Sequence, residues 1–458
     1  MKKMNKAVQN STAESTIGSV TVIGAGLAGS EAAFQIARRG IKVNLYEMKP
    51  EKKTPAHSSP LFGELVCSNS LRSLQHTNAA GMLKDELRLL SSLIMSAADA
   101  SAVPAGAALA VDRTAFSEYI TKRISGHPNI TVIHKEITEI PSDGICIIAS
   151  GPLTTDRLAA SVSDFFGNKC LSFFDAAAPI VDAASINYDI VFAQSRYDKG
   201  DSDYLNCPMN KEQYLAFYDA LINAREAELH DFDREAQKEL TVFEGCMPVE
   251  VMARRGIETL RFGPMKPVGL IDPKTGREPY ACVQLRMENS QKTMFNLVGF
   301  QTHLAIPEQK RVFRMIPGLE NAEFLRFGVM HRNTYIDSPG LLTETYSTVK
   351  RPKLFFAGQM TGVEGYIESA ASGLTAGLNA AALACGQESI IFPETTVIGS
   401  MAAYVSRGGT GKFQPMNANF GLIKPLERKI KGGKSARNEE LYRRGIEELT
   451  RFIKERLT

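Results

Sequence analysis

No two cysteines in this chain are spaced as CxxC, and that absence removes two classes of function. A dithiol redox site needs two thiols within reach of each other, and a zinc ribbon needs ligands paired at short spacing. The seven cysteines (Cys67, Cys146, Cys170, Cys207, Cys246, Cys282 and Cys385) are odd in number and widely scattered, so a disulfide framework is not expected. No apolar run comes near the roughly 20 residues that cross a bilayer, and the stretch around Ile145–Ala149 is only strand-sized. The first 17 residues start basic but lack the apolar core of a secretion signal. They read as a disordered leader on a cytoplasmic protein with no membrane role. The formal net charge of +3 is too small to call for a nucleic-acid partner by its sum alone. No internal repeat is evident, and the one biased tract is a Lys/Gly-rich stretch near 424–437.

What is present is ordinary globular chemistry: 458 residues, 44% hydrophobic and 22% charged, with room for two domains or one domain with an insertion. GSVTVIG, residues 18–24, predicts a short strand. A helix through AGSEAAFQIARRG, closed by Gly40, and a second strand IKVNLYEM follow, which together make a βαβ unit opening a parallel sheet. NITVIHKEITEI and GICIIASGP supply further strands. From about 190 to 330 the character changes, with a polar helical stretch from KEQYLAFYDALINAREAELHDF onward and then strands in PYACVQLRME and TMFNLVGFQTHL. KLFFAG at 353–358 and the Ala/Gly-rich helix GLTAGLNAAALA then complete the first sheet. The expected fold is α/β: a doubly wound, Rossmann-like domain of glutathione-reductase type in two parts, 18–190 and 331–458, with an α+β domain inserted at 191–330.

Gly24-Ala25-Gly26-Leu27-Ala28-Gly29 fits GxGxxG between that strand and helix, and Glu47 ends the second strand. The glycines serve a tight turn, close approach of backbone to a pyrophosphate and helix–strand packing, while Glu47 suits ribose hydroxyls. The motif alone does not separate FAD from NAD. The late strand–AGQMTG–helix element favours FAD, with Gly358, Gln359, Gly362, Gly365 and Tyr366 expected near the flavin. A second GxGxxG is missing, so a nicotinamide would visit only as reductant. Ile148-Ala149-Ser150-Gly151 resembles the "ATG" turn of two-dinucleotide flavoproteins.

Twelve blocks, in order, carry a more specific resemblance: GAGLAGSEAA, ELVCSNSLRS, VPAGAALAVDR, FFDAAAPIV, SRYDKG, YLNCPM, FEGCMPVEVMARRG, RFGPMKPVGL, GFQTHL, GVMHRNTYI, FAGQMTGVEGYIESAASGL and FQPMNANFGL, from about Val20 to Leu422. They resemble the folate- and FAD-dependent methylenetetrahydrofolate–tRNA (uracil-5-)-methyltransferase family of bacteria. The late block is also similar to the larger enzyme that modifies the wobble uridine, whose long carboxy-terminal helical domain this chain has no room for. A sibling acting on ribosomal RNA stays open.

The resemblance implies FAD as cofactor, methylenetetrahydrofolate as carbon donor, NADPH or NADH as reductant, tRNA as partner, and no metal. It also implies that Cys67 and Cys246 activate the uracil. Cys246 is expected as the nucleophile at C6 and Cys67 as the group handling the C5 proton, with the reverse assignment open. Cys146, Cys282 and Cys385 read as small buried hydrophobes; Cys207 is undecided. His303, His331, Arg254, Arg255, Lys266 and Arg332 are weaker candidates for contact with flavin, folate or RNA, against plain structural or surface roles. RNA contact is argued from Lys424, Arg428, Lys429, Lys431, Lys434 and Arg437, opposed only by Glu427, the alternative being a frayed tail. Two rivals remain at this level: a generic flavin oxidoreductase and a flavin-binding scaffold that holds RNA without catalysis. Methyl transfer from S-adenosylmethionine fits poorly with the flavin-type late segment.

Overall fold

The computed structural model describes residues 18–457 apart from 55, 168–169, 177, 199–202, 228–246, 329, 410–412 and 429. The leader, Cys246 and Lys429 therefore lie outside the described residues, as does most of the polar stretch beyond residue 227.

The first sheet is parallel throughout. It consists of β1 (Val20–Ile23), β2 (Val43–Glu47), β6 (Ile130–His134), β7 (Cys146–Ile148) and β16 (Leu354–Phe356), in the order β16-β7-β1-β2-β6. β1 lies in the middle because both its faces are covered, and its short run of β-branched residues suits a strand buried on both sides. Register fixes the neighbours: Val22 pairs with Leu45 on one side and Ile147 on the other. Strand order reverses between β1 and β7, and such a reversal opens a crevice at the carboxyl ends of the strands. The late strand does return to this sheet, with Phe355 opposite Ile147.

Helix Leu27–Ala37, which follows β1, packs along helix Tyr366–Ala384, which follows β16. A Cβ on Gly373 would stand 2.2 Å from the carbonyl oxygen of Ala28, so only glycine allows the two backbones this close. That contact explains why the later helix is rich in Ala and Gly.

The second sheet is antiparallel: β9 (Ile180–Asp182), β10 (Phe192–Ala193), β11 (Tyr204–Met209), β12 (Ala281–Met287), β13 (Met294–Leu297) and β14 (Phe324–Arg326), ordered β10-β11-β12-β13-β9-β14. Helix Lys211–Ile222 covers it, started by a reciprocal capping box between Asn210 and Gln213. Tyr214, Phe217, Phe300 and Phe313 fill its core. Such buried side chains contribute about 1.5–3 kcal/mol each. β9 already pairs with β13, so this sheet takes in chain ahead of the expected break at 191. The chain leaves and re-enters through a two-stranded ribbon of β8 (Cys170–Ala176) and β15 (Met330–Ile336). A small sheet of β3 (Ser70–Ser73), β4 (Ala102–Val103) and β5 (Ala108–Val111) also lends Val103 and Ala110 to the second core.

Near the carboxyl end the chain is not a frayed tail. Helix Gly433–Arg456 buries Leu441 and Leu449 completely, and its Asn438 side chain donates to the Thr77 carbonyl at 2.9 Å. No helix among the described residues is long and apolar enough to cross a membrane.

Candidate active site

The carboxyl ends of β1, β2 and β7 open into one cleft, about 1100 Å³ including its mouth. Gly24, Gly26, Leu27 and Ala28 form one wall, Glu47 another, and the segment Ala149–Thr155 a third. Gly358, Gln359 and Tyr366 close it from the late segment. The cleft thus gathers residues from the beginning, middle and end of the first domain.

The glycine turn is built tightly. A Cβ on Gly29 would lie 1.8 Å from the Gly24 carbonyl oxygen, which any side chain there would displace. A Cβ on Gly26, by contrast, would meet no atom within 4 Å. Gly26 caps helix Leu27–Ala37 without any side-chain hydrogen bond, so the first N–H groups of the helix are presented to an anion in the cleft. The buried Glu47 carboxylate accepts the Ala25 N–H at 2.8 Å and the Lys49 N–H at 2.9 Å, which holds it at the cleft wall. A helix terminus without a cap, open space in front of Gly26 and a fixed carboxylate are what a dinucleotide needs, and the residues fit FAD.

Two expected cofactor residues have a packing role as well. Gly362 and Gly365 do not line the cleft. A Cβ on Gly362 would stand 2.3 Å from the Phe413 ring, and one on Gly365 would stand 2.1 Å from the Glu368 carboxylate, so both serve packing. Ala25 and Gly29 likewise shape the turn from behind.

Cys67 is half-buried, and its neighbour Val66 lines the cleft. Its segment is fastened from both sides. The Tyr366 hydroxyl accepts the N–H groups of Cys67 (2.8 Å) and Ser68 (3.2 Å). Arg113 donates to the carbonyls of Cys67, at 3.0 Å, and of Leu65, while Arg326 donates to that of Val66. Arg286 reaches the Asn69 side chain at 2.9 Å and the Ser68 hydroxyl at 2.6 Å. Asn69 in turn donates to the carbonyls of Val111 and Met287. Burial pulls the Arg286 and Arg326 guanidiniums below their ordinary range. Burial pulls on Arg113 too, but the Glu288 carboxylate beside it outweighs that and holds it above. Burial, then the nearby Cys67, raises the Tyr366 phenol.

These arginines were not singled out from the sequence. Arg286 and Arg326 lie on β12 and β14 of the second sheet, so the cysteine segment is clasped between the two domains. One signal was readable: an arginine inside the apolar strand ACVQLRM is buried, and a buried guanidinium needs partners.

The weaker candidates disperse. His303 is buried in the second domain, with its N–H donated to Glu250 at 2.6 Å, its Nδ1 3.8 Å from Glu226, and burial lowering its pKa. His331 and Arg332 stand on β15 opposite Asp175 and Phe174. Arg254 pairs with Glu226 at 2.5 Å, and Arg255 and Lys266 are exposed. Cys146, Cys207 and Cys282 are buried and Cys385 is exposed, which corrects its reading as a core residue.

Residues 19–388 match the family described as Glucose inhibited division protein A. The chain is 59% identical over 433 residues to the methylenetetrahydrofolate–tRNA-(uracil-5-)-methyltransferase TrmFO of Lacticaseibacillus paracasei, covering 94% of this chain and 97% of that one. It is 58% identical over 434 residues to the TrmFO of Acetivibrio thermocellus, covering 95% and 98%. The chain belongs to the TrmFO methyltransferase family. Two structures of GidA from Aquifex aeolicus share the fold at 18% identity, with TM-scores of 0.67 and 0.65. Each covers 95% of this chain, and 78% and 75% of the respective GidA chain. The TrmFO-family fold is therefore α/β with a Rossmann-like, FAD-binding parallel sheet, as the sequence led one to expect.

Proposed function

We propose that this chain methylates uridine C5 in the T-loop of tRNA to give ribothymidine. Carbon would come from methylenetetrahydrofolate and electrons from FAD, reduced in turn by NADPH or NADH. The observation that carries the reading is the double attachment of the Cys67 segment, to Tyr366 at the cofactor cleft and to Arg286 and Arg326 of the second domain. A thiol on that segment would then be within reach of both a cofactor in the cleft and a substrate between the domains.

Glu47 would hold ribose hydroxyls, the N terminus of helix Leu27–Ala37 the pyrophosphate, and Gly358, Gln359 and Tyr366 the flavin. When bound, FAD in its reduced form supplies the two electrons that bring the transferred carbon from the methylene to the methyl level. The chain's own groups activate the base. Uracil C5 is a poor nucleophile until a thiolate adds to C6 and leaves an enolate whose C5 attacks the carbon donor. Cys246 supplies that thiolate. Cys67, as thiolate, takes the proton from C5, which expels tetrahydrofolate as its bond to the transferred carbon breaks; once that carbon is at the methyl level, the C6–S bond breaks to return the Cys246 thiolate. Arg113 and Arg326 hold the backbone around Cys67, and Arg286 the neighbouring Ser68 and Asn69 side chains, so its thiol need not be ordered when substrate arrives.

Five exposed cations, Lys424, Arg428, Lys431, Lys434 and Arg437, stand ahead of and in the first turns of the last helix. They would neutralise tRNA phosphates and make binding salt-dependent.

The test is transfer of labelled carbon from methylenetetrahydrofolate to unmodified tRNA, with NADPH present and S-adenosylmethionine absent. Label in T-loop 5-methyluridine, lost in Cys246→Ala while FAD stays bound, is the expected result. A Cys246→Ala protein with near-normal turnover would sink the cysteine assignment. Label appearing only in ribosomal RNA would move the acceptor and keep the chemistry.

A further inference from the structure

Away from the cofactor cleft, the second domain holds two large aromatic side chains in solvent, one on the segment 259–269 and one packed against it. Phe262 ends helix Thr259–Phe262 and is 81% exposed, well above every other large apolar side chain among the described residues. Tyr197 is 60% exposed, and its backbone sits in the left-handed region at φ 59, ψ 26. A bulky residue takes that conformation only when the surroundings impose it. Here the Tyr197 N–H donates to the Gly269 carbonyl at 2.9 Å, and its ring lies on Gly269, where an added Cβ would be 3.0 Å from the ring carbons. Arg196 locks the arrangement by donating to the carbonyls of Val268 (2.8 Å) and Lys266 (2.6 Å).

One exposed apolar residue means little. Two aromatics, Phe262 on the stretch 259–269 and Tyr197 laid against Gly269 of that stretch in a strained conformation, call for something to cover them. The charge beside them says what. Lys266 lies between Phe262 and Gly269 in the chain and is exposed, and Arg255 borders the open cleft that Phe262 forms with Met247 and Met252. Two carboxylates of this face are engaged: Glu258 by Arg261 and the Tyr280 hydroxyl, Glu278 by the Gly269 N–H. The surface thus offers flat π faces and positive charge together, the pairing that suits unstacked bases on a phosphate chain.

We infer that Phe262 and Tyr197 form a stacking platform for unpaired nucleotides of the RNA substrate, with Lys266 on the adjoining phosphates. This inference rests on the reading of the chain as an RNA-modifying enzyme. Phe262 follows Cys246 in the chain and shares its cleft with Met247, the residue next to that cysteine. The platform holds the RNA through bases other than the one that reacts, and it adds affinity rather than chemistry.

The experiment measures Kd and KM for unmodified tRNA, together with kcat and NADPH-driven FAD reduction, for wild type, Phe262→Ala, Tyr197→Ala, the double variant and Phe262→Tyr. Each alanine is expected to weaken binding by about tenfold, with the double near a hundredfold, as loss of base–aromatic stacking does. The kcat at saturating tRNA and the FAD reduction rate stay near wild type, and Phe262→Tyr restores affinity. The slope of log Kd against log salt is unchanged in the alanine variants, because stacking carries no charge, but falls by about one contact in Lys266→Ala. A double variant that binds tRNA like wild type, while wild type methylates it, overturns the platform and leaves the function standing. So does a change of oligomeric state in Phe262→Ala by light scattering, which would give the aromatics to a second copy of the chain. A wild-type protein that neither binds nor methylates RNA overturns both readings.

Discussion

The phenolic oxygen of Tyr366 lies 2.8 Å from the amide nitrogen of Cys67 and 3.2 Å from that of Ser68. Tyr366 opens the helix that closes the cofactor cleft, while the two amides belong to the segment that the second domain's arginines hold. One hydroxyl thus joins the cofactor wall to a candidate catalytic thiol across nearly three hundred residues of chain.

Tyr366→Phe keeps the ring and deletes the acceptor. Two part-buried N–H groups lose their partner, which costs about 1–3 kcal/mol of local order. The variant is expected to fold and to retain FAD, with methyl transfer falling about tenfold in kcat and little change in KM for tRNA. Amide hydrogen exchange at residues 64–69 would rise in step. Unchanged exchange with full activity would show that the arginines alone position Cys67.

The glycine turn allows structure and binding to be separated with one methyl group. At Gly29 an added Cβ meets the Gly24 carbonyl at 1.8 Å, whereas at Gly26 it meets nothing within 4 Å. Gly29→Ala is therefore expected to lower the Tm of the FAD-free protein. Gly26→Ala should leave that Tm alone and reduce FAD affinity about tenfold or more, because its methyl intrudes only on the ligand. The ratio of 450 nm to 280 nm absorbance after purification, beside a melt of each apoprotein, checks both. A Gly26→Ala protein that retains full FAD would place the pyrophosphate elsewhere.

Glu47 is a joint as much as a ligand. Its two oxygens tie Ala25 in the first turn to Lys49 after the second strand. Glu47→Ala removes both ties together with the proposed ribose contact, so FAD content should fall further than in Glu47→Gln, which keeps one acceptor. Equilibrium titration of FAD into apoprotein would show the order wild type, then glutamine, then alanine. Equal affinities for all three would remove Glu47 from the site.

The dinucleotide half of the fold was legible because its determinants are local. A strand, a glycine turn, a helix and an acid follow one another within thirty residues, and each obeys its own short-range chemistry. Clustering of Arg113, Arg286 and Arg326 around Cys67 was not legible. Periodicity marks Arg286 as part of a buried strand but is silent on which segment of a different domain its guanidinium meets. A glycine signals close approach without naming what approaches, and at Gly362 and Gly365 the structure brings Phe413 and Glu368 close. That β9, ahead of residue 190, joins the second sheet was not legible either, because at three residues it is too short to stand out from a loop before its partner β13 is known.

Glu86 gives a prediction in pH. It is fully buried in helix Ala79–Leu89, and its carboxyl oxygens accept the N–H groups of Val397 (2.7 Å) and Ile398 (2.8 Å) at the start of helix Val397–Arg407. Burial pushes its pKa up to about 8, against the lowering pull of those two N–H groups. In the unfolded chain a glutamate titrates near ~4.3. Below that pH both states hold the proton. Between the two values the unfolded chain has released it and the folded protein has not, so this group's contribution falls as pH rises, and it levels off above about 8. Glu86→Gln does not titrate and gives up one acceptor for the two helix amides, so at pH 5 it should be less stable by about 1–2 kcal/mol. That gap should narrow toward pH 9, where the wild type must hold an ionised carboxylate in the core. Urea unfolding of both proteins from pH 5 to 9 measures the gap. If it widened with pH instead, the helix amides would be stabilising a carboxylate, and Glu86 would act as an ionised cap on the helix at Val397.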